Sequence, residues 1–195
     1  MTNLIRPTWV LLALLTLVTG VAYPLLVTAI GQTVMSDQAN GSLVMRDGKP
    51  IGSTLIGQTF TSPKYFWGRP SATSPMPNNA SASSGSNLGP TNPALKDAVA
   101  ERIQALQKAD PANKQAVPID LVTTSASGLD PDLSEAAARY QSNRIAVARS
   151  LTAAQVTAVI DAHREGALFG FLGEPRINVL RANLALDALA APAKP

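Results

Sequence analysis

The longest hydrophobic stretch of the chain lies near its N-terminus. No charged side chain occurs between Pro7 and Ser36, and the apolar run within this stretch exceeds the ~20 residues needed to cross a ~30 Å hydrocarbon core. Pro24 lies inside the run, where a membrane helix tolerates it and bends. The pattern predicts one transmembrane helix over residues 8–35.

The charges on either side of this helix predict its direction. Arg6 and the terminal amine lie on the short side, whereas the first basic residue after the helix is Arg46. The positive-inside rule therefore makes residues 1–7 a cytoplasmic stub and residues 36–195 an extracytoplasmic domain on a single-pass membrane protein. A cleaved signal peptide ending near residues 27–29 is the alternative, and it also places the domain outside the cytoplasm.

Strand patterns are short and few in the rest of the chain. Residues 43–52 predict a hairpin, because Asp47-Gly48 supplies the positive φ angles of a tight turn. Residues 55–56 extend this hairpin sheet in our interpretation. Alternation over residues 117–123 predicts an edge strand.

Helix signals are clearer, because N-cap residues precede apolar positions with helical spacing. Four helices are predicted, and the last is stopped by Pro192. The four helices are predicted to begin at Asn92, Asp130, Thr152 and Asn178, and Gln155 is the capping-box partner of Thr152. The first three are predicted to end at Asp110, after Val147 and at Gly166. We therefore expect an α+β fold, with one N-terminal transmembrane helix followed by a single domain containing a small sheet, several helices and a long ordered loop.

The long loop spans residues 61–91 and is rich in Pro, Ser, Asn and Gly, yet it contains Tyr65, Phe66 and Trp67. Two interpretations are open for these aromatic residues. They pin the loop onto the core, which we favour, or they form a docking surface for a partner.

Composition excludes several classes of protein. With 195 residues, one His, no Cys and a formal charge of +3, the chain suits one domain plus an anchor. The small charge imbalance argues against a nucleic-acid partner, and the lack of cysteine excludes thiol catalysis and disulfides.

Catalytic and metal-binding patterns are weak. The single histidine, His163, is expected to cap helix carbonyls rather than act as a general base. We predict no catalytic residue and no metal site. The arginines at 139, 144 and 149 rotate to different helix faces and are expected to be solvated, with Glu135 four residues before Arg139.

One loop has the composition of an anion cradle. Residues 84–89 are small and rich in backbone amides, which can bind an anion. The loop lacks the lysine of a P-loop, so an ordered glycine-containing turn is the favoured interpretation.

Several motifs together resemble the C-subunit family of the Kdp potassium-transporting ATPase. The resemblance covers nearly the whole chain and rests on residues 52–60, 65–72, 86–92, 127–131 and 172–180. Two positions depart from it: Ser84 replaces an expected glycine, and Asp132 replaces a frequent histidine.

This resemblance implies a non-catalytic accessory subunit of an ATP-driven potassium uptake complex. The implied partners are a channel-like potassium-binding subunit, a P-type ATP-hydrolysing subunit and a small single-span subunit. The family's C subunit is expected to be needed for assembly and to raise the pump's affinity for ATP. No firmly bound cofactor is implied.

The resemblance makes one loop the candidate nucleotide contact, namely Ser84, Gly85, Ser86 and Asn87. Cytoplasmic ATP cannot reach a periplasmic domain, so the favoured hypothesis is an indirect effect on ATP affinity, with the domain covering the outer mouth of the potassium-binding subunit. A stand-alone glycan-binding module and a hydrolase are the alternative classes.

Overall fold

The computed structural model describes residues 3–190. Within this part of the chain there are two compact units, divided between Ile51 and Gly52. Each unit is described separately below.

The first unit contains the predicted membrane helix. A continuous 30-residue helix runs from Ile5 to Val34 with a mean hydropathy of 2.3 and no buried side chain in its most apolar window. It consists of α1 (Ile5–Leu17), a π-helical turn (Val18–Ala22) and α2 (Tyr23–Val34). The helix is long and apolar enough to cross a membrane, as predicted.

The π-helical turn ends two residues before Pro24. Proline has no N–H to donate to the carbonyl of Gly20, and a wider helical turn accommodates this missing hydrogen bond. Thr19 Oγ1 donates to the carbonyl of Leu15 over 2.8 Å, which keeps this hydroxyl bonded within the helix. The local sequence therefore explains the distortion.

A one-turn helix, α3 (Ser36–Ala39), and a hairpin of β1 (Leu43–Arg46) and β2 (Lys49–Ser53) follow. Asp47 and Gly48 have φ angles of 52° and 74°, which confirms the predicted hairpin turn. The prediction that residues 55–56 extend the sheet is wrong, since residues 54–56 form a turn after β2. The Ser53 hydroxyl accepts a hydrogen bond from the N–H of Leu55 over 3.1 Å and holds that turn.

The second unit has an α+β fold, as predicted. Its helices are α4 (Pro93–Ala109), α5 (Glu135–Arg149), α6 (Ala153–Ala162) and α7 (Val179–Ala190), with 3₁₀ turns at Ala80–Ala82 and Ile119–Leu121. Strands β3 (Asp132–Ser134), β4 (Arg164–Glu165) and β5 (Arg176–Asn178) form an antiparallel sheet in the order β3-β5-β4.

The core lies between this sheet and helices α5, α6 and α7. Leu133 pairs with Ile177 across the sheet, and both side chains are buried. The sheet, the three helices and the long loop all contribute large, fully buried apolar side chains. These side chains are Phe66, Leu133, Ile145, Val156, Ile160, Ile177 and Leu186.

Three predicted helix caps are confirmed by hydrogen bonds. The Asn92 side chain accepts from the N–H of Ala94 at 2.9 Å, and the Asn178 side chain accepts from the N–H of Arg181 at 3.2 Å. Thr152 starts α6 with a complete capping box. The predicted stop at Pro192 lies outside the described residues.

The prediction that Asp130 caps a helix is wrong. Helix α5 begins at Glu135 and is capped by Ser134, whose Oγ accepts from the N–H of Ala137 at 3.1 Å. Residues 132–134 are extended instead, because pairing with β5 buries Leu133 in the sheet. Val147 lies on this helix as predicted, and its side chain is 75% exposed.

Two further boundaries differ from the predictions. The expected strand at 117–123 is a 3₁₀ turn, because the adjacent residues Leu121 and Val122 are both buried and alternation fails. Helix α6 ends at Ala162, four residues before Gly166, since residues 164–165 pair with β5.

Candidate functional site

The aromatic segment of the long loop is fixed by two buried amides. Phe66 is 1% exposed, and the Asn183 side chain on α7 bonds both its N–H (2.8 Å) and its carbonyl (3.0 Å). Gln141 on α5 bonds the N–H and the carbonyl of Trp67 in the same way, at 2.8 and 3.0 Å. These paired contacts replace the backbone partners that a sheet would supply, and they confirm that the aromatic residues pin the loop to the core.

Two arginines of α5 hold the same segment. Arg144 donates to the carbonyls of Pro63 and Tyr65 at 2.7 and 3.0 Å, and its guanidinium lies 4.1 Å from the centre of the Trp67 ring. Arg149 donates to the carbonyl of Lys64 at 2.6 Å.

The prediction that these arginines are solvated is therefore wrong for two of the three. Arg144 is buried, and the Arg149 side chain is only 5% exposed and pairs with Asp187 at 2.9 Å. Arg139 fits the prediction, because it is largely exposed and bonds Glu135 at 2.9 Å. Helical spacing alone does not reveal that the long loop covers the other two positions.

Burial weakens the charged state of Arg144 without neutralising it. Desolvation lowers the pKa of Arg144 to about 10, and the nearby carboxylate of Asp110 acts in the opposite direction. The guanidinium therefore remains charged at neutral pH and keeps its hydrogen bonds to the loop.

Trp67 serves both the core and a surface cleft. Its indole N–H donates to the carbonyl of Ser62 at 2.9 Å, and the ring packs against the hydrophobic core while remaining partly accessible. The accessible part lines a cleft of about 320 Å³, which has aromatic and proline walls. The lining residues are Gln58, Thr59, Phe60, Thr61, Trp67, Gly68, Arg69, Pro70, Ser71, Pro77 and Asn78.

Most polar groups at the base of this cleft are engaged within the domain. Ser71 Oγ donates to the carbonyl of Gly128 at 2.7 Å and accepts from the N–H of Asn78 at 2.9 Å. Arg69 pairs with Asp130 at 3.0 Å. The cleft is therefore preformed, and its open surface is supplied mainly by apolar walls.

The loop predicted as the nucleotide contact packs along residues 124–128. The N–H of Ser84 donates to the carbonyl of Ser127 at 2.9 Å, and Ser86 Oγ accepts from Thr124 at 3.0 Å. Asn87 is exposed and has a φ of 50°. The four residues Ser84, Gly85, Ser86 and Asn87 thus form an ordered turn beside a second loop.

Close backbone approach explains two glycines in this region. A Cβ at Gly85 would lie 2.8 Å from the carbonyl oxygen of Ala126. Gly128 has a φ of 68°, and a Cβ there would lie 2.6 Å from the carbonyl oxygen of Ser84. Glycine is therefore required here by packing, whether or not the loop binds an anion.

His163 lies at the C-terminal end of α6, and its Nδ1 is 2.9 Å from the carbonyl oxygen of Val159. This contact agrees with the capping role expected for it. Within residues 3–190 no group of three or more His, Cys, Asp or Glu side chains could hold a metal ion.

Sequence reasoning missed Gln141 and Asn183, which do most to place the aromatic segment. A weak signal was present, because Gln141 follows the buried residues Ala137 and Ala138 by one helical turn and so lies on the apolar face of α5. A polar residue on such a face indicates a buried hydrogen-bonding partner.

Comparison with known proteins gives one consistent family. A family model described as KdpC, the c chain of a K⁺-transporting ATPase, matches residues 5–188. The chain is 61% identical over 191 residues to the potassium-transporting ATPase KdpC subunit of Variovorax paradoxus, covering 98% of this chain and 99% of that protein. It is 62% identical over 187 residues to the KdpC subunit of Herminiimonas arsenicoxydans, with coverage of 96% and 98%.

Proposed function

The chain belongs to the KdpC family, the c chain of K⁺-transporting ATPases, and from this premise we propose that it is a non-catalytic accessory subunit that holds the complex together. Its proposed partners are the channel-like potassium-binding subunit, the P-type ATP-hydrolysing subunit and the small single-span subunit. In this proposal the pump's chemistry takes place on the ATP-hydrolysing partner.

The observation that carries the proposal is the preformed cleft beside Trp67. Gln141 and Arg144 hold Trp67 in the wall of this cleft, and Asn183 and Arg149 hold the residues just before it, so docking there costs little conformational entropy. An apolar cleft with a polar rim is the usual form of a protein docking site. We assign this surface to contact with the potassium-binding subunit.

The apolar helix from Ile5 to Val34 supplies the second proposed contact. Gly20 lies in its π-helical turn, where a Cβ would meet only Thr16 Cγ2 of the same helix, at 3.9 Å. Small residues allow close approach of membrane helices. We propose that this region packs against a membrane helix of a partner subunit.

Any effect on ATP affinity is proposed to be indirect. In the orientation that the positive-inside rule predicts, the domain lies outside the cytoplasm, where cytoplasmic ATP cannot reach residues 84–87. Coupling between the domain's contacts and the nucleotide site on the partner would then change ATP affinity by linkage.

The experiment compares the purified pump with and without this chain, and with Gly85→Ala or Gly89→Ala versions of it. A Cβ at Gly85 would strike Ala126, whereas a Cβ at Gly89 meets nothing within 4 Å. We expect the pump without the chain to lose its subunit association and bind ATP more weakly. Complexes with Gly85→Ala should form in reduced yield but keep the wild-type KM for ATP, and Gly89→Ala should change neither quantity.

A raised KM for ATP in fully assembled Gly85→Ala complexes would contradict the indirect mechanism and indicate direct nucleotide contact. Normal assembly and normal ATPase activity without the chain would contradict the accessory function itself.

A further inference from the structure

The tip of the hairpin between β4 and β5 is the most exposed apolar feature of the domain. Residues 166–173 contain no polar or charged side chain. Phe169 and Phe171 are 79% and 75% exposed, and Leu168 and Leu172 are 62% and 50% exposed. None of these four side chains belongs to the hydrophobic core, so folding does not explain them.

The tip is a turn in which the backbone N–H groups of residues 168, 170, 171 and 172 donate to carbonyls within the tip. Leu168 and Leu172 exchange N–H to carbonyl bonds of 2.8 and 2.9 Å, and the N–H of Gly170 donates to the carbonyl of Ala167 at 2.9 Å. Three residues lie between Leu168 and Leu172, and two of them, Phe169 and Gly170, have positive φ angles of 55° and 81°. Bulky residues disfavour positive φ, and Asn, Asp or Gly is usual at the Phe169 position.

Ion pairs fix the base of this hairpin. Arg176 on β5 bonds Glu165 on β4 at 3.0 Å and pairs with Asp132 on β3 at 3.1 Å. Arg164 pairs with Glu135 at 2.7 Å. The charges around the base are therefore mutually compensated, and the apolar tip extends from a supported sheet.

We propose that the tip formed by residues 166–173 inserts into the interfacial region of the lipid bilayer that anchors the chain. Exposed apolar side chains on both arms of the turn suit an apolar medium better than a groove that covers one side. The four internal backbone bonds reduce the number of peptide groups that lipid would leave without a partner. The Phe and Leu side chains supply the apolar surface that drives interfacial binding.

The length of the connecting segment permits this contact. Residues 35–51 link the end of α2 at Val34 to the second unit, which begins at Gly52. A chain of this length reaches at most about 60 Å when extended. Because α3 and most of the β1–β2 hairpin lie within these residues, their span is shorter than this limit, which permits contact between the tip and the bilayer.

The test uses the full-length chain in nanodiscs of phosphatidylcholine and phosphatidylglycerol, with no partner subunit present. The sequence has no cysteine, so Phe169→Cys and Phe171→Cys each provide one spin-label site. Val147→Cys is the matched control, because Val147 is also 75% exposed but lies on α5. Collision rates with oxygen, which partitions into lipid, and with a water-soluble nickel chelate are measured at each site.

We expect the ratio of oxygen to nickel collisions to be several-fold higher at both tip positions than at position 147. Equal ratios at the three positions would overturn the proposal. Tip labels shielded from both reagents would also overturn it, because they would indicate a protein contact between copies of the chain. Thermal unfolding midpoints matching the wild type establish that the labelled proteins are folded, and the result does not depend on the proposed function, since no pump is present.

Discussion

At the scale of single residues, buried polar side chains determine where the long loop lies. Asn183 and Gln141 each satisfy both backbone groups of one loop residue, across sequence separations of 117 and 74 residues. A buried peptide group left unpaired is costly, so these two amides select one position for the aromatic segment. Packing of Phe66 then adds apolar burial to the same position.

Asn183→Ala should destabilise the domain by about 3 kcal/mol, because it leaves the N–H and carbonyl of Phe66 buried without partners. Thermal unfolding of the detergent-solubilised chain measures the effect. Asn143→Ala is the control, since Asn143 is exposed on α5, and it should change the unfolding midpoint little. Equal midpoints for the two variants would contradict the role given to Asn183.

Asp132 should make stability depend on pH in a defined direction. Burial raises the pKa of the Asp132 carboxyl above its usual 3.8, against the opposing effects of Asn178 and Arg176. The carboxyl of Asp132 therefore binds a proton more readily in the folded state than in the unfolded state. As the pH falls through the pKa of the folded state towards the usual pKa of 3.8, the free energy of unfolding rises.

Asp132→Asn cannot bind that proton, which makes it the reference for this effect. The unfolding midpoint of the wild type relative to Asp132→Asn should increase as the pH is lowered from 7 to 4. Thermal unfolding of both proteins over this range measures the difference, and a decrease on acidification would show that the assigned direction is wrong.

At the scale of elements, local signals predicted the helices better than the strands. Asn92, Thr152 and Asn178 cap helices as expected, because a cap bonds backbone within three residues of itself. Strand β3 was missed because its pairing partner β5 lies more than 40 residues later in the chain. The Asp130-Pro131 sequence looks like a helix start, but burial of Leu133 against Ile177 decides the local structure.

The membrane helix yields a prediction at the same scale. Gly20→Leu should reduce co-purification of this chain with partner subunits, because it replaces a small residue at a proposed helix contact. The change is compatible with the helix itself, since a Cβ at Gly20 meets only Thr16 Cγ2 at 3.9 Å.

Val18→Leu is the matched control, because position 18 lies on nearly the opposite side of the helix. It should leave co-purification at the wild-type level. Normal recovery of the partners with Gly20→Leu would count against a contact at this position.

At the scale of the whole molecule, sequence patterns predicted an anchor and an α+β domain, and the arrangement of the candidate site followed only from the fold. The long N-terminal helix is readable because one run of apolar residues satisfies a single physical requirement, the length needed to span lipid. The cleft could not be predicted from the sequence, because it is lined by residues that are separated in the chain and come together in the folded loop, which Gln141 and Asn183 hold in place. These residues are 58–61, 67–71 and 77–78. Arg144 and Arg149 were misjudged for the same reason, since the loop that buries them is distant in sequence.

The proposed accessory function accounts for both the exposed apolar helix and the preformed cleft, because partners or lipid would cover these surfaces. The measurement that tests it most directly is affinity purification of the tagged full-length chain from gently solubilised, potassium-starved cells, followed by mass spectrometry and a potassium-stimulated ATPase assay. We predict recovery of a channel-like subunit and a P-type ATPase with potassium-stimulated activity. Isolation of this chain alone under the same conditions would contradict the proposal and favour a stand-alone binding module in the cell envelope.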